Sequence, residues 1–204
     1  MVDADDVRAC RDVCVAFLRS VIDRDWSSSI PEMDMDVGTV VAHITQANLW
    51  YAYDLAAGGI DADAYEPLVK TNAEPDALIA AFTTAANVLA AVIAAAADDA
   101  RGFHPFGQAD RSGFAAMACD EMIVHTHDVS RGLGVDFAPP GDMAARVLGR
   151  LFPWATSVDD DAWNALQWAN GRIAIADRPR LTKWRWHCAP LDEWDGLEPT
   201  PPAP

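Results

Sequence analysis

The chain has 204 residues, 51% of which are hydrophobic, and this is enough to bury one core and carry a small appendage. Its 31 acidic and 15 basic residues give a formal net charge of −16, which is spread along the sequence. This charge argues against binding to nucleic acid, whose phosphates require a basic surface, and equally against binding to an anionic membrane surface.

The expected compartment follows from the targeting signals that the sequence lacks. It has no run of 18 apolar residues, and its acidic start, Met1 to Asp6, is unlike a signal peptide. We therefore expect a cytoplasmic protein that neither spans nor binds a membrane. In that compartment the four cysteines are expected to be reduced thiols.

A first helix is predicted from Asp3 to Asp25, because apolar residues recur there at alternating steps of three and four. Cys10 and Cys14 lie on its apolar stripe. Their i, i+4 spacing would also suit a metal ion, but a place on the stripe favours small core residues.

A second helix is predicted from Asp36, which suits the N-cap, to the stop at Gly58 and Gly59. His43 lies at the edge of its apolar face. A histidine in this place is either a hydrogen-bonded core residue or a metal ligand that completes a site on another helix.

The third and fourth helices complete the predicted bundle. The third is rich in alanine and extends from Pro75 to near Asp99. A loop follows in which His104 is expected to be exposed, and the fourth helix begins at Asp110 or Ser112 and is closed by the glycines at 132 and 134. Four amphipathic helices predict an all-α fold, a four-helix bundle. The longer connections, around 58–73 and 101–110, leave room for a crossover.

The predicted domain organisation has three parts. Residues 1–136 form the bundle, and residues 137–197 form a short helical and extended appendage that packs on it. In this appendage we expect one helix from Asp142 to Trp154, a second beginning at 157–159, and an extended aromatic tail over 184–191. Residues 198–204 are Pro-rich and predicted to be disordered.

The fourth helix carries polar residues where its apolar stripe should continue. Glu121, His125 and Asp128 follow Phe114 and Ala118 in steps of four and three, which places all five on one face. Buried polar groups need a partner, and a metal ion bound by Glu121 and His125 would supply one. With His43 as a third ligand the site would be His2Glu, and three protein ligands leave a position for water or substrate, as in catalytic zinc sites.

Other polar residues near this motif have competing interpretations. Asp128 is placed to orient a ligand imidazole, or to form a salt bridge with Arg131. His127 points away from the stripe. His187 is a rival ligand, but the tryptophans around it favour a packing role.

Three stretches resemble the DinB-like superfamily and, within it, the mycothiol-dependent maleylpyruvate isomerase N-terminal-domain family. They are residues 36–50 (DVGTVVAHITQANLW), residues 120–134 (DEMIVHTHDVSRGLG) with the pattern E-x3-H-x2-D, and residues 163–175 (WNALQWANGRIAI) together with 184–191 (WRWHCAPL). Together they extend over most of residues 1–190. The second stretch is the most specific.

The resemblance implies a four-helix bundle in which His43, Glu121 and His125 hold a divalent metal, usually zinc, with Ni2+ or Fe2+ as alternatives. It also implies mycothiol or another low-molecular-weight thiol as cosubstrate. A metal lowers the pKa of a bound thiol, so that the thiolate can add to a double bond or displace a leaving group. The isomerase has a separate C-terminal domain, whereas this chain has only a short extension, so the isomerase reaction itself does not follow from the resemblance.

Further candidates surround this predicted site. Arg172 and Arg185 can bind an anionic substrate or the carboxylate of the thiol, the alternative being surface charge. Trp50, Trp168 and Trp186 can line the pocket, the alternative being core packing. We assign catalytic roles to Asp128 and Arg185, and thiol or substrate binding to Trp50 and Arg172.

Three functions are compatible with these residues. The first is a metal-dependent thiol transferase or isomerase that acts on a small electrophilic molecule. The second is a metal-dependent hydrolase in which the metal activates water and Asp128 is the base. The third is a non-catalytic protein that binds or sequesters a metal or ligand. The expected partners are a small-molecule substrate and a thiol, without nucleic acid or membrane, and the resemblance allows a homodimer.

Overall fold

The computed structural model describes residues 1–61 and 64–199 of the chain. Within these ranges it contains six α-helices, two short 3-10 helices and one antiparallel pair of two-residue strands. The all-α prediction is confirmed. The α-helices are α1 (Ala4–Ser20), α2 (Val37–Ala57), α3 (Pro75–Ala95), α4 (Arg111–Leu133), α5 (Gly141–Leu151) and α6 (Ala162–Ala169), and the strands are β1 (Arg101–Gly102) and β2 (Ala109–Asp110).

The starts of α2 and α4 are set by side chains that accept hydrogen bonds from the first turn of each helix. Asp36 accepts from the amide of Thr39 at the start of α2, and Asp110 accepts from the amide of Gly113 at the start of α4. Gly134 ends α4 in the left-handed conformation at φ 64°. These caps determine where the two helices that carry the candidate metal ligands begin, and where α4 ends.

Several helix ends differ from the prediction. α1 ends at Ser20 rather than Asp25, and the indole of Trp26 donates to the carbonyl of Val21 at 3.2 Å as the chain turns back. α3 ends at Ala95 rather than near Asp99. α5 ends before Pro153, which cannot continue the helix, and α6 begins only at Ala162. Periodicity extends a predicted helix until a glycine or proline appears, so the ends of α1 and α3, which have neither, are missed.

The first four helices share one core, although not in simple up-down order. α1 and α2 both pack mainly against α3 and α4, and α3 contacts α4 less. The segments 21–36 and 96–110 therefore cross the ends of the bundle. The connection at 58–73, which was expected to allow a crossover, instead joins the neighbouring helices α2 and α3.

The cysteines of α1 are core residues, as predicted. Cys10 and Cys14 are fully buried, and the thiol of Cys14 donates to the carbonyl of Met122 at 3.4 Å. All four cysteines are free thiols. Burial raises the pKa of Cys14, so it stays protonated and unreactive.

One described helix, α3, is long and apolar enough to span a membrane by length and composition. Its mean hydropathy is 2.1, although Thr83, Thr84 and Asn87 interrupt it, so it contains no run of 18 apolar residues. In the structure α3 packs against α1 and α2, and Leu78, Phe82 and Leu89 are buried in the shared core. The apolar composition of α3 matches this packing.

The chain beyond α4 packs back on the bundle. α5 contacts α4 and α6, and the tail buries Trp186 and Cys188; it is irregular from 184 to 190, and a 3-10 helix begins at Leu191. The buried guanidinium of Arg150 pairs with Asp110 and donates to the carbonyls of Cys188 and Ala189 at 3.1 and 2.9 Å.

The division into bundle and appendage stays a prediction. Of the predicted disordered tail, residues 200–204 lie outside the described residues.

Candidate metal centre

The packing of α2 on α4 brings three predicted ligands together. Nε2 of His43 lies 3.3 Å from Oε2 of Glu121, and Nε2 of His125 lies 3.1 Å from the same oxygen. One ligand atom from each residue lies within 4.8 Å of the others. Glu121 and His125 occupy successive turns of α4, and His43 faces them from the second turn of α2.

The three side chains form a cluster that favours a positive charge bound among them. The side chains of Glu121 and His125 are 11% and 13% exposed, whereas that of His43 is 44% exposed. Burial alone would raise the pKa of Glu121, but the adjacent imidazoles of His125 and His43 lower it below its ordinary value. Burial alone would lower the pKa of His125, but Asp128 and Glu121 raise it to about 9. Either a proton on His125 or a bound cation can supply this charge.

The donor geometry fits a metal ion. Oε2 of Glu121 is buried and has no hydrogen bond of acceptable geometry among the described residues, although two imidazole nitrogens lie within 3.3 Å. Nδ1 of His125 lies 2.9 Å from Oδ2 of Asp128. With its proton on Nδ1, neutral His125 presents the lone pair of Nε2 toward the carboxylate. Two nitrogen donors and one oxygen donor form the set that zinc takes in catalytic sites with an open position.

Asp128 lies behind the ligands and not in the open part of the site. Its side chain is fully buried, and Arg172 donates to it from Nε at 3.0 Å and from Nη2 at 2.9 Å. Burial alone would raise the pKa of Asp128, but hydrogen bonds from His125 and Arg172 lower it to about 2. Asp128 thus orients His125, and Arg131, at 3.9 Å, is only a weak partner.

Arg172 and Arg185, the predicted anion-binding residues, contact the protein itself. The guanidinium of Arg172 is occupied by Asp128 and by the carbonyl of Asn170, at 2.9 Å from Nη1. Nη2 of Arg185 donates to the carbonyl of Phe106 at 2.8 Å, and its guanidinium lies over the Phe106 ring. Neither arginine lines the cavity beside the candidate ligands.

A cavity of about 860 Å³ opens beside His43 and Glu121. One face of α2 forms much of its lining, because residues at steps of three and four point the same way. Trp50 is part of this lining, as predicted, but Trp168 and Trp186 are not. The indoles of Trp168 and Trp186 donate to the carbonyl of Pro179 and the carboxylate of Asp120, respectively. The lining comprises His43, Gln46, Ala47, Trp50, Tyr51 and Asp54 of α2, with Asp61, Glu66, Pro67, Phe103, His104, Pro105 and Glu121.

Tyr51 and His104 are among the residues of the site that sequence reasoning missed. The hydroxyl of Tyr51 donates to Oε1 of Glu121 at 3.4 Å, and its spacing of eight residues from His43 could have revealed it. His104 was expected to be exposed, which is wrong: it is 9% exposed and packs against Tyr51, Phe106 and Trp186. Burial lowers the pKa of His104 to about 4, so its imidazole is neutral at pH 7. Tyr51 and Trp186, which cover its ring, are distant in sequence, so no local pattern could place it.

One known protein family matches the part of the chain that carries this cluster. The sequence profile described as the mycothiol maleylpyruvate isomerase N-terminal domain matches residues 7–130. This span contains His43, Glu121, His125 and Asp128, and it ends before α5. Searches of curated proteins and of solved structures gave no significant match.

Proposed function

The chain belongs to the mycothiol maleylpyruvate isomerase N-terminal domain family, and on that premise we propose that it is a cytoplasmic, metal-dependent enzyme that uses a low-molecular-weight thiol. One observation carries the proposal: His43, Glu121 and His125 converge where a cavity of about 860 Å³ reaches the bundle core. The thiol is mycothiol or a similar compound, and the substrate is a small electrophilic molecule.

The three residues would hold a divalent ion, zinc being favoured by the donor set. When bound, such an ion lowers the pKa of an approaching thiol, so that the thiol reacts as thiolate at neutral pH. The chain's own residues prepare the site for this. Asp128 and Arg172 keep Nε2 of His125 directed at the site, and Tyr51 orients the carboxylate of Glu121.

The reaction is either transfer or isomerisation. In transfer, the thiolate sulfur forms a bond to an electrophilic carbon, and the leaving group departs with the electron pair of the broken bond. In isomerisation, the sulfur adds to a conjugated double bond, the resulting single bond rotates, and the sulfur leaves again. Both reactions need the thiol and the substrate side by side, and a cavity of this size can accommodate both.

The hydrolase alternative gains no support from the site. That reaction was expected to use Asp128 as its base, but this carboxylate is fully buried and occupied by His125 and Arg172. A base must reach the proton that it removes, directly or through one water. The thiol-using reaction therefore agrees better with the contacts of Asp128.

Metal content is the decisive first measurement. The purified wild-type protein and the variants His43→Ala and His125→Ala would be compared by elemental mass spectrometry. We expect about one equivalent of divalent metal in the wild type and a loss of metal in both variants, because two remaining ligands bind weakly. His127→Ala is the matched control, since His127 is on the same helix but contacts the carbonyl of Phe137.

Thiol turnover tests the reaction class. The metal-loaded protein would be given mycothiol and an electrophilic bimane reporter, and formation of the conjugate would be followed by fluorescence. We expect conjugate formation above the uncatalysed rate, lost in His125→Ala. A wild-type protein that folds but binds no metal contradicts the proposal, and a metal-loaded protein that is inactive with thiols favours a non-catalytic binding role.

A further inference from the structure

Asp54 lines the cavity and has no counter-charge among the residues that the structure describes. It is 9% exposed and has no hydrogen bond or ion pair to its side chain among the described residues. Burial and the charge of Asp61 raise the pKa of Asp54 to about 6. Its negative charge is therefore poorly compensated within the protein.

The rest of the cavity has the same sign of charge. Asp61, Glu66 and Glu121 also line it, and the described lining contains no lysine or arginine. Carboxylates grouped along one cavity create a negative potential that attracts cations and repels anions. A bound metal would offset the charge only at the Glu121 end.

Aromatic rings lie between the candidate ligands and Asp54. Trp50 and Tyr51 line the cavity one turn before Asp54, and Tyr65 packs against Trp50 with ring centroids 5.5 Å apart. Gln46 donates to the carbonyl of Pro67 at 3.0 Å, which keeps the connecting segment against α2. Aromatic faces favour flat or cationic groups, so this part of the cavity complements an amine-bearing ligand.

We propose that the substrate taken by this cavity carries a protonated amine that pairs with Asp54 while its reactive end lies at His43 and Glu121. This inference rests on the proposed function and specifies its substrate class. His43 and Asp54 are 11 positions apart on α2, or about 16 Å at the rise of a helix, so the substrate is elongated. A substrate with an anionic group at the far end is disfavoured, because that group would approach Asp54.

Isothermal titration with two probes of opposite charge tests the proposal. Tryptamine and indole-3-propionate share the ring and chain length and differ in the amine and carboxylate. On the metal-loaded wild-type protein at pH 7.5, we expect tryptamine to bind at least about tenfold more tightly, as one charge-assisted pair allows. Asp54→Asn keeps the shape of the side chain and should remove this preference. Asp142→Asn, at an exposed position on α5 outside the lining, should retain it.

The outcomes separate this inference from the proposed function. Equal binding of the two probes, tighter binding of the carboxylate, no binding of tryptamine, or an unchanged preference in Asp54→Asn overturns the inference. Thermal melts and metal content of Asp54→Asn show whether the variant is folded and loaded. If wild-type protein binds no metal yet prefers tryptamine through Asp54, the metal-dependent function fails and the amine site stands. If metal is bound without an amine preference, only the amine site fails.

Discussion

At the residue scale, a buried ion pair lies behind the candidate metal ligands. Asp128 is fully buried and connects His125 to Arg172, and both partners approach to 2.9 Å. A carboxylate in this position fixes which nitrogen of the imidazole faces the site and raises the basicity of that nitrogen. The role of Asp128 is thus to position His125, and it does not depend on contact with substrate.

Replacing Asp128 by asparagine should weaken metal binding while leaving the ligands in place. Asparagine can still accept the hydrogen bond from His125 but lacks the charge, and Arg172 is left without its ionic partner. We expect the affinity for Zn2+, measured by competition with a chromophoric chelator, to fall by about 10- to 100-fold. Arg131→Gln is the matched control, because Arg131 approaches Asp128 only to 3.9 Å and should not change the affinity. Equal affinities for Asp128→Asn and wild type would show that Asp128 has only a structural role.

The same residues show what could be predicted from the sequence. Glu121, His125 and Asp128 were recognised because a helix repeats every 3.6 residues and their spacing is local. The residues that contact them are harder to predict. Arg172 is 44 positions from Asp128, so no periodicity connects the two. From the sequence, Arg172 was therefore assigned to substrate binding. Asp54 was missed because an unpaired carboxylate is recognised only from the residues that surround it in space.

At the element scale, the tail is packed directly on the first turn of α4. An added Cβ at Gly113 would lie 2.1 Å from the carbonyl oxygen of Cys188, so only glycine permits this approach. Arg150 binds the same stretch through Cys188 and Ala189 and also pairs with the N-cap residue Asp110. The extended tail was predicted from its alternating aromatic residues, but this crossing had no signal in the sequence because it depends on a backbone contact.

Two glycine-to-alanine variants test the importance of this crossing. Gly113→Ala should displace the tail and lower the free energy of unfolding by about 1–3 kcal/mol, as overpacking does. Gly149→Ala is the control: it lies within α5 with nothing within 4 Å of the added Cβ, so the higher helix propensity of alanine should stabilise by about 0.5–1 kcal/mol. Urea unfolding followed by circular dichroism measures both changes, and thiol labelling should show greater exposure of Cys188 in Gly113→Ala. Similar stabilities for the two variants would mean that the tail adjusts without cost.

At the scale of the whole molecule, the bundle, the strand-containing connection and the tail meet at His104. Its ring packs against Tyr51 of α2, Phe106 of the connection and Trp186 of the tail, with centroids 5.1–6.1 Å apart. Nδ1 accepts a hydrogen bond from the amide of Phe106 at 3.1 Å. A proton on this imidazole would therefore disturb contacts among all three parts.

His104 should make the fold sensitive to acid. Burial lowers the pKa of His104 to about 4 in the folded protein, whereas an unfolded histidine has its ordinary value of 6.5. Above pH 6.5 both states are neutral and the full stability is present. Between pH 6.5 and 4 only the unfolded state takes up the proton, so the free energy of unfolding falls, by about 2 to 3 kcal/mol at pH 4.5. His104→Asn can retain the hydrogen bond from Phe106 but cannot titrate in this range. Urea unfolding of both proteins at pH 7.5 and 4.5, with chelator present, should therefore show a smaller loss for the variant, and equal losses would show that protonation of His104 is not coupled to folding.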